Sequence, residues 1–199
     1  TMDTRAKIAM ILGTGTNAAY VERADRIPKL GAGVKAEMMV INTEWGNFGS
    51  GEAGALPGWS VIDADVDAAS ANRGQQWLEK MVSGHTMGEV CRHFLVRLHA
   101  AGELWTGAGA AAAVLSTPFT FTGEQVSMVE ADLSEDLRVV ARVEKTWGVS
   151  TSTLQDRRIV QHVGRVVAER AARVTACALA AIVARVAPLP TQVVSVAVD

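Results

Sequence analysis

The 199-residue chain is 49% hydrophobic and 20% charged, a balance that supports a packed interior and excludes a disordered chain. Its net charge of −2 and pI near 6.1 give no basic field to draw it to nucleic acid or an anionic lipid surface. Cys91 and Cys177 follow no metal or redox spacing and read as reduced, buried thiols of an intracellular, cytoplasmic protein. No segment reads as membrane-spanning, because the most apolar run, Val174–Val183, is short and flanked by Arg173 and Arg185.

Taken in order, Ile8–Leu12 reads as a buried strand, and Gly13-Thr14-Gly15-Thr16-Asn17-Ala18 follows at once. Glycines on either side of Thr14 free the backbone to aim N–H groups at an anion, and the Thr14 hydroxyl adds a neutral donor. This is phosphate-loop chemistry without the Gly-Lys-Ser/Thr of a Walker loop. The same residues fit Gly-x-Gly-x-x-Ala of dinucleotide-binding units, and they also fit an ordinary hairpin turn. Ala19–Ala36 carries charges, Pro28 and glycines, and reads as a strand around Tyr20-Val21-Glu22 followed by a loop.

Met38-Met39-Val40-Ile41 is an unbroken apolar run, which predicts a strand buried on both faces. It switches abruptly to Asn42-Thr43-Glu44-Trp45-Gly46. A carboxylate at the end of a buried strand is costly to desolvate unless a ligand or partner meets it, so Glu44 is a candidate binding residue. Gly51–Pro57 reads as a surface loop. Asp63, Asp65 and Asp67 lack the glycine and distal glutamate of a Ca²⁺ loop and read as solvated or capping acids.

From Gln75 the periodicity turns helical, with Trp77, Leu78, Met81 and Val82 on one face and Gly84 as a break. Thr86–Ala100 reads as a second helix with Met87, Val90, Cys91, Phe94, Leu95 and Leu98 inward, ended by Gly102. Thr106–Val114 is a low-complexity loop or helix start, and Thr117–Val129 reads as strand or loop. Ser134 is placed to cap a helix over Asp136–Lys145. Thr153 and Asp156 have capping-box spacing before a long helix from Asp156 to Ala187, which Pro188 stops. Its predicted buried face is Ile159, Val163, Val166, Val167, Val174, Ala178 and Ile182. His162 on it reads as a packed or surface histidine, and the scattered histidines predict no metal site. A final strand is expected at Val193–Asp199. Because the chain opens near one buried strand and stops on another, we expect an internal piece of a longer protein.

Several of these segments together resemble the hexokinase family, above all its plant and algal branch. They are Ile11–Glu22, Met39–Gly49, and Glu79-Lys-Met-Val-Ser-Gly84 with Gly88-Glu89 and Arg92. Weaker matches are Val126-Ser127 with Glu130 and Asp132, Arg170–Arg173, and Val196–Asp199. The resemblance implies an α/β actin-like, ribonuclease-H-like ATPase fold. Residues 1–199 would be a fragment of the large, C-terminal domain of a two-lobed hexokinase, truncated at both ends. It implies that Asn17, Glu44 and Glu79 bind the hexose, with Gln76 a neighbour. Thr14, with Gly13 and Gly15, would meet the phosphates of ATP, and Thr146 would lie on the nucleotide side. Mg²⁺ would arrive bound to the nucleotide.

The family's catalytic aspartate belongs to a motif expected upstream of Thr1. Thr1-Met2 matches its tail, and Asp3 lacks its flanking residues, so no catalytic residue is assigned within the chain. The adenosine motif would follow Asp199. Arg73 stands where the family usually has Pro, and His85 replaces a Lys, Met or similar residue. The implied activity is ATP-dependent phosphorylation of glucose to glucose 6-phosphate by the parent protein, the fragment alone being inactive. The alternatives are a non-catalytic hexokinase-like sugar sensor and, more distantly, an NAD-type dehydrogenase, which requires a helix straight after Gly15.

Overall fold

The computed structural model of the chain describes residues 6–31, 36–52, 54, 56–106, 113–187 and 193–199. Thr1, Met2, Asp3 and Pro188, and residues 107–112 of the alanine-rich tract, lie outside them. The described strands form one sheet in the order β3-β2-β1-β4, with β1 Ala6–Leu12, β2 Thr16–Arg23, β3 Met38–Asn42 and β4 Ser195–Val198. β1 and β2 are an antiparallel hairpin, β3 runs antiparallel to β2, and β4 lies parallel to β1. The register Ile8↔Tyr20 and Met10↔Ala18 places these four residues on one face, where Ile8, Met10 and Ala18 are buried.

The helices are α1 Val61–Ala69, α2 Trp77–Val82, α3 Gly84–Ala100, α4 Ala113–Ser116, α5 Gly123–Glu130, α6 Arg138–Thr146 and α7 Leu154–Val186. α7 joins two cores. Val160, Val163 and Val167 enter a helical core around Trp105, Phe121 and Trp147, while Ala171, Val174 and Ile182 pack under the sheet with Met10, Trp45 and Met81. That i, i+3, i+4 series is the helical period made visible along one element. A capping box between Thr153 and Asp156 starts α7 as the sequence predicts, with Thr153 N–H donating to Asp156 Oδ2 at 2.8 Å.

Several expectations are corrected. β3 is not buried on both faces: Met38 and Val40 are 48% and 69% exposed while Met39 and Ile41 are half-buried, the alternation of an edge strand packed on one side. Val166 is exposed on α7. Cys177 is exposed, and only Cys91 is a buried thiol, its ionisation pushed up to about 12 by desolvation. The strand or loop expected at Thr117–Val129 contains α5, begun by a Thr122–Gln125 capping box. α6 starts at Arg138 rather than Asp136, because Leu137 adopts a left-handed φ of 51° and the Ser134 hydroxyl accepts from the Arg138 N–H.

The three aspartates lie on α1, an element the sequence reading missed. Asp63 does cap it, taking the Ser60 N–H at 2.8 Å, but Asp63 and Asp67 are buried in ion pairs with Arg170 and Lys80 rather than solvated. Asp65 pairs with Arg97 at the surface.

Candidate functional site

Residues 13–15 are the loop of the β1–β2 hairpin, since Leu12 pairs with Thr16 across it. A strand rather than a helix therefore follows Gly15, which removes the dinucleotide-fold alternative. The hairpin reading of these residues is the one the pairing shows. Gly13 N–H is spent within the turn, on Gly15 O at 3.0 Å.

Polar groups gather where β2 begins and β3 ends. Thr43 N–H donates to Ala18 O at 2.9 Å, which carries the pairing one step past the ladder and sets Asn17 beside Asn42. Asn17 Nδ2 donates to Asn42 Oδ1 at 2.7 Å and to Glu44 Oε1 at 3.2 Å. Asn42 Nδ2 donates to the same Glu44 oxygen at 2.5 Å. Glu44 sits at φ 50° in the left-handed region, a conformation a non-glycine residue keeps only when its surroundings hold it. The grip comes from Trp45, buried with its indole N–H on Thr16 Oγ1 at 2.9 Å, and from Thr43, whose hydroxyl donates to Ala18 O at 2.8 Å.

α2 delivers the remaining groups. Gln76, its N-cap, is also left-handed at φ 56°, and its N–H donates to Asn47 Oδ1 at 2.9 Å. Glu79 Oε2 accepts the Thr16 N–H at 2.9 Å. This approach depends on two glycines. A Cβ on Gly15 would stand 2.8 Å from Glu79 Oε2, and one on Gly46 would stand 2.6 Å from Gln76 Oε1 and 3.3 Å from Thr16 O. Asn17, Glu44, Gln76 and Glu79 thus belong to one connected constellation. Asn42 joins it although the sequence reading named only its stretch; the signal was its place two residues before Glu44 at a strand end, on the face shared with Asn17.

The other side of the hairpin loop meets the start of α3, where Gly84 N–H donates to Gly13 O at 2.8 Å. Thr14, Gly84, His85, Phe119, Phe121, Thr122, Gly123 and Glu124 line a cavity of about 350 Å³, so two helix N-termini open onto it. A neighbouring cavity of about 510 Å³ runs from Thr14 past Glu79 and Lys80 to Glu89 and Phe119. Thr146 is exposed and does not line the first cavity. It accepts from Gln125 Nε2 at 3.2 Å and so stands one side chain removed from α5. Among the described residues, no group of three or more His, Cys, Asp or Glu side chains converges as a metal site would require. No helix there is long and apolar enough to cross a membrane.

Residues 7–199 match the family model described as Hexokinase. Rice (Oryza sativa subsp. japonica) Hexokinase-2 is 42% identical over 173 residues, which are 86% of this chain and 34% of that protein. Arabidopsis thaliana Hexokinase-3 is 37% identical over 180 residues, 90% of this chain and 35% of that protein. The structure of a Schistosoma mansoni hexokinase complexed with glucose superposes with a TM-score of 0.87 at 33% identity, covering 99% of this chain and 43% of that one. The chain therefore spans about a third of the length of these plant relatives. Its hairpin-first mixed sheet is that of the actin-like ATPase fold, which the solved hexokinases share. With the match running almost end to end, this chain belongs to the hexokinase family.

Proposed function

We propose that this chain is a large-domain segment of an ATP-dependent hexokinase and forms much of its sugar-binding cleft, the whole protein converting glucose to glucose 6-phosphate. The observation that carries the reading is the convergence of Asn17, Glu44, Gln76 and Glu79 beside a hairpin loop whose far side opens onto paired helix N-termini. A hexose presents several hydroxyls. Carboxylates accept hydrogen bonds from them in charge-assisted form, and the side-chain amides both donate and accept. A site so built rejects analogues lacking a hydroxyl, because the analogue leaves a polar group unpaired.

On the nucleotide side, Thr14 offers a hydroxyl and the starts of α3 and α5 offer N–H groups with the positive ends of their dipoles. These neutral donors fit a triphosphate. Mg²⁺-ATP, when bound, supplies the phosphoryl group and neutralises charge on its oxygens. This chain's residues do the rest of what it contributes: Glu44 and Glu79 fix the sugar, Asn17 and Asn42 orient Glu44, and the hairpin loop holds the two sides in register. Positioning of this kind is most of what phosphoryl transfer asks of a protein.

The test is glucose phosphorylation by the full-length protein with Mg²⁺-ATP, beside its Glu44→Gln variant. Turnover that collapses in the variant, with glucose binding weakened, supports the reading. Glucose binding that depends on Glu44 without any turnover favours a sensor, and neither binding nor turnover sinks the proposal.

A further inference from the structure

α2 is only 6 residues long, yet it and its N-cap deliver Glu79 and Gln76 to the polar cluster. So short a helix does not hold itself, and no side chain of its own N-cap closes its first turn. Two N–H groups at its start are met from the segment after Glu44: Gln76 N–H by Asn47 Oδ1 at 2.9 Å and Trp77 N–H by Ser50 Oγ at 3.1 Å. The indole of Trp77 is placed differently. It stacks on the Trp59 ring, centroids 4.3 Å apart with the planes 22° from parallel. Its Nε1 is buried and has no hydrogen-bond partner among the described residues. A buried tryptophan ordinarily aims its N–H at an acceptor, and that bond then orients the ring. Here the stack orients it.

Trp59 is itself fixed on both sides. Its N–H closes a turn on Leu56 O at 3.3 Å, and Leu56 packs on Gly49, where a Cβ would stand 2.7 Å from Leu56 Cγ. Arg170 of α7 brackets the residue: its Nη1 donates to Gly58 O at 3.5 Å and to Asp63 Oδ2 at 2.7 Å. Asp63 Oδ2 also accepts the N–H and the hydroxyl of Ser60, at 2.8 and 2.6 Å. The residue before Trp59 is thus tied to α7 directly, and the residue after it through Asp63. The ring presented to Trp77 is anchored to the longest described helix, and the short α2 rests against it.

We propose that Trp59 is a positioning residue for the sugar-binding cluster: by stacking on Trp77 it fixes the start of α2, and with it Gln76 and Glu79. It acts through Trp77, which follows Gln76 directly and stands two residues before Glu79, and not by contact with the sugar. The inference rests on the reading above that Gln76 and Glu79 bind the hexose.

The test is calorimetric titration of the full-length protein with glucose and, separately, with Mg²⁺-ATP. Trp59→Ala is expected to weaken glucose binding about tenfold and to leave Mg²⁺-ATP affinity within about twofold of the wild type. Trp59→Leu, which keeps apolar bulk without a ring, is expected to match it, and this holds the test if truncation to alanine unfolds the protein. Trp59→Phe, which keeps a ring for the stack, is expected to recover most of the glucose affinity. Near-UV circular dichroism is expected to lose the signal of the paired indoles in Trp59→Leu while the far-UV spectrum stays unchanged. A Trp59→Leu protein that binds glucose within about twofold of the wild type overturns the proposal. So does equal weakening of glucose and nucleotide, which marks a general loss of structure, and so does a Trp59→Phe protein as weak as Trp59→Leu. A wild-type protein that binds glucose but transfers no phosphoryl group overturns the hexokinase reading, while the glucose titrations still decide this proposal. A wild-type protein that binds no glucose overturns both.

Discussion

Thr16 N–H donates to Glu79 Oε2 at 2.9 Å, so the hairpin's second strand and the carboxylate of α2 are fixed to each other directly. The same residue's hydroxyl accepts the Trp45 indole N–H at 2.9 Å, which draws in the turn that carries Glu44. Two carboxylates from separate segments are therefore set by one threonine. The constellation behaves as a unit, and small changes in its backing should be felt as loss of sugar affinity before loss of stability.

Gly46 is the sharpest case. An added Cβ meets Gln76 Oε1 at 2.6 Å, Thr16 O at 3.3 Å and Glu79 Cβ at 3.4 Å. The Gln76 amide can swing aside, but it then leaves the cluster, and the Thr16 carbonyl, a backbone atom, must give by a few tenths of an ångström. Gly46→Ala is expected to weaken glucose binding about tenfold, equivalent to roughly 1.4 kcal/mol, while KM for Mg²⁺-ATP stays near the wild-type value. Titration of both ligands against the variant checks this, and equal loss of the two affinities would contradict it.

Lys80 and Asp67 make a buried ion pair at 2.7 Å, with Lys80 Nζ also donating to Asn72 O at 2.9 Å. Asp67 in turn accepts the Gly74 N–H, so the pair closes the loop before Gln76. Lys80→Met strands the Asp67 carboxylate among Val66 and its neighbours and is expected to cost about 3–5 kcal/mol of stability in denaturant unfolding. Adding Asp67→Asn to that variant is expected to return a large part of the loss, because the uncompensated charge is the main penalty. A single variant as stable as the wild type would refute the assignment.

Much of this was legible in the residues and some was not, for identifiable reasons. The hairpin loop, the turn after β3 and α2 announce themselves by abrupt switches from apolar runs to Gly, Asn and Glu. α1 was missed because Asp63, Asp65 and Asp67 alternate with apolar residues at period two; their salt bridges to Arg170, Arg97 and Lys80 depend on residues in other helices. α5 was missed although Thr122-Gly-Glu-Gln125 is a capping box, since the Thr and Phe residues weigh toward strand and Pro118 toward loop. β3 was read as doubly buried because an all-apolar run hides which face is covered; among the described residues, packing covers one. Glu44 and Gln76 in left-handed conformations could not be read at all, since tertiary contacts override a local cost there.

Glu89 predicts an acid limb to the stability curve. Burial alone pushes its carboxyl up, but hydrogen bonds from His93, Arg92 and the Phe119 amide outweigh this and hold it at about 2, against an ordinary value of 4.5. A carboxylate whose native value is depressed stabilises the fold above its ordinary value, and that contribution is lost as pH falls. The window is from 4.5 down to about 2. Glu89→Gln is expected to destabilise the protein at neutral pH, leaving Arg92 buried and unpaired, and to flatten the fall in stability across that window. Urea midpoints measured across the window check both parts. A variant that keeps the wild-type acid limb would show that Glu89 does not set it.

Glu144 has the opposite sign. It is fully buried, and desolvation, aided by the charge of Asp156, raises its carboxyl above the ordinary 4.5 despite hydrogen bonds from Ser152 and Trp105. Relative to the unfolded chain, the native state therefore favours the protonated form. Its contribution is fully present below the ordinary value and is lost as pH rises through the native one. Trp105 Nε1 donates to Oε1 at 3.0 Å and the Ser152 hydroxyl to Oε2 at 2.5 Å. Glutamine retains an acceptor for the indole and offers an N–H to the Ser152 oxygen, without the buried charge. Glu144→Gln is accordingly expected to raise the urea midpoint at about pH 8 and to raise it less at about pH 4, below the ordinary carboxyl value, where the proton's contribution is present. A variant destabilised at the alkaline end would mean that the ionised carboxylate is matched by its surroundings, and that the Trp105–Glu144 bond is worth more charged than neutral.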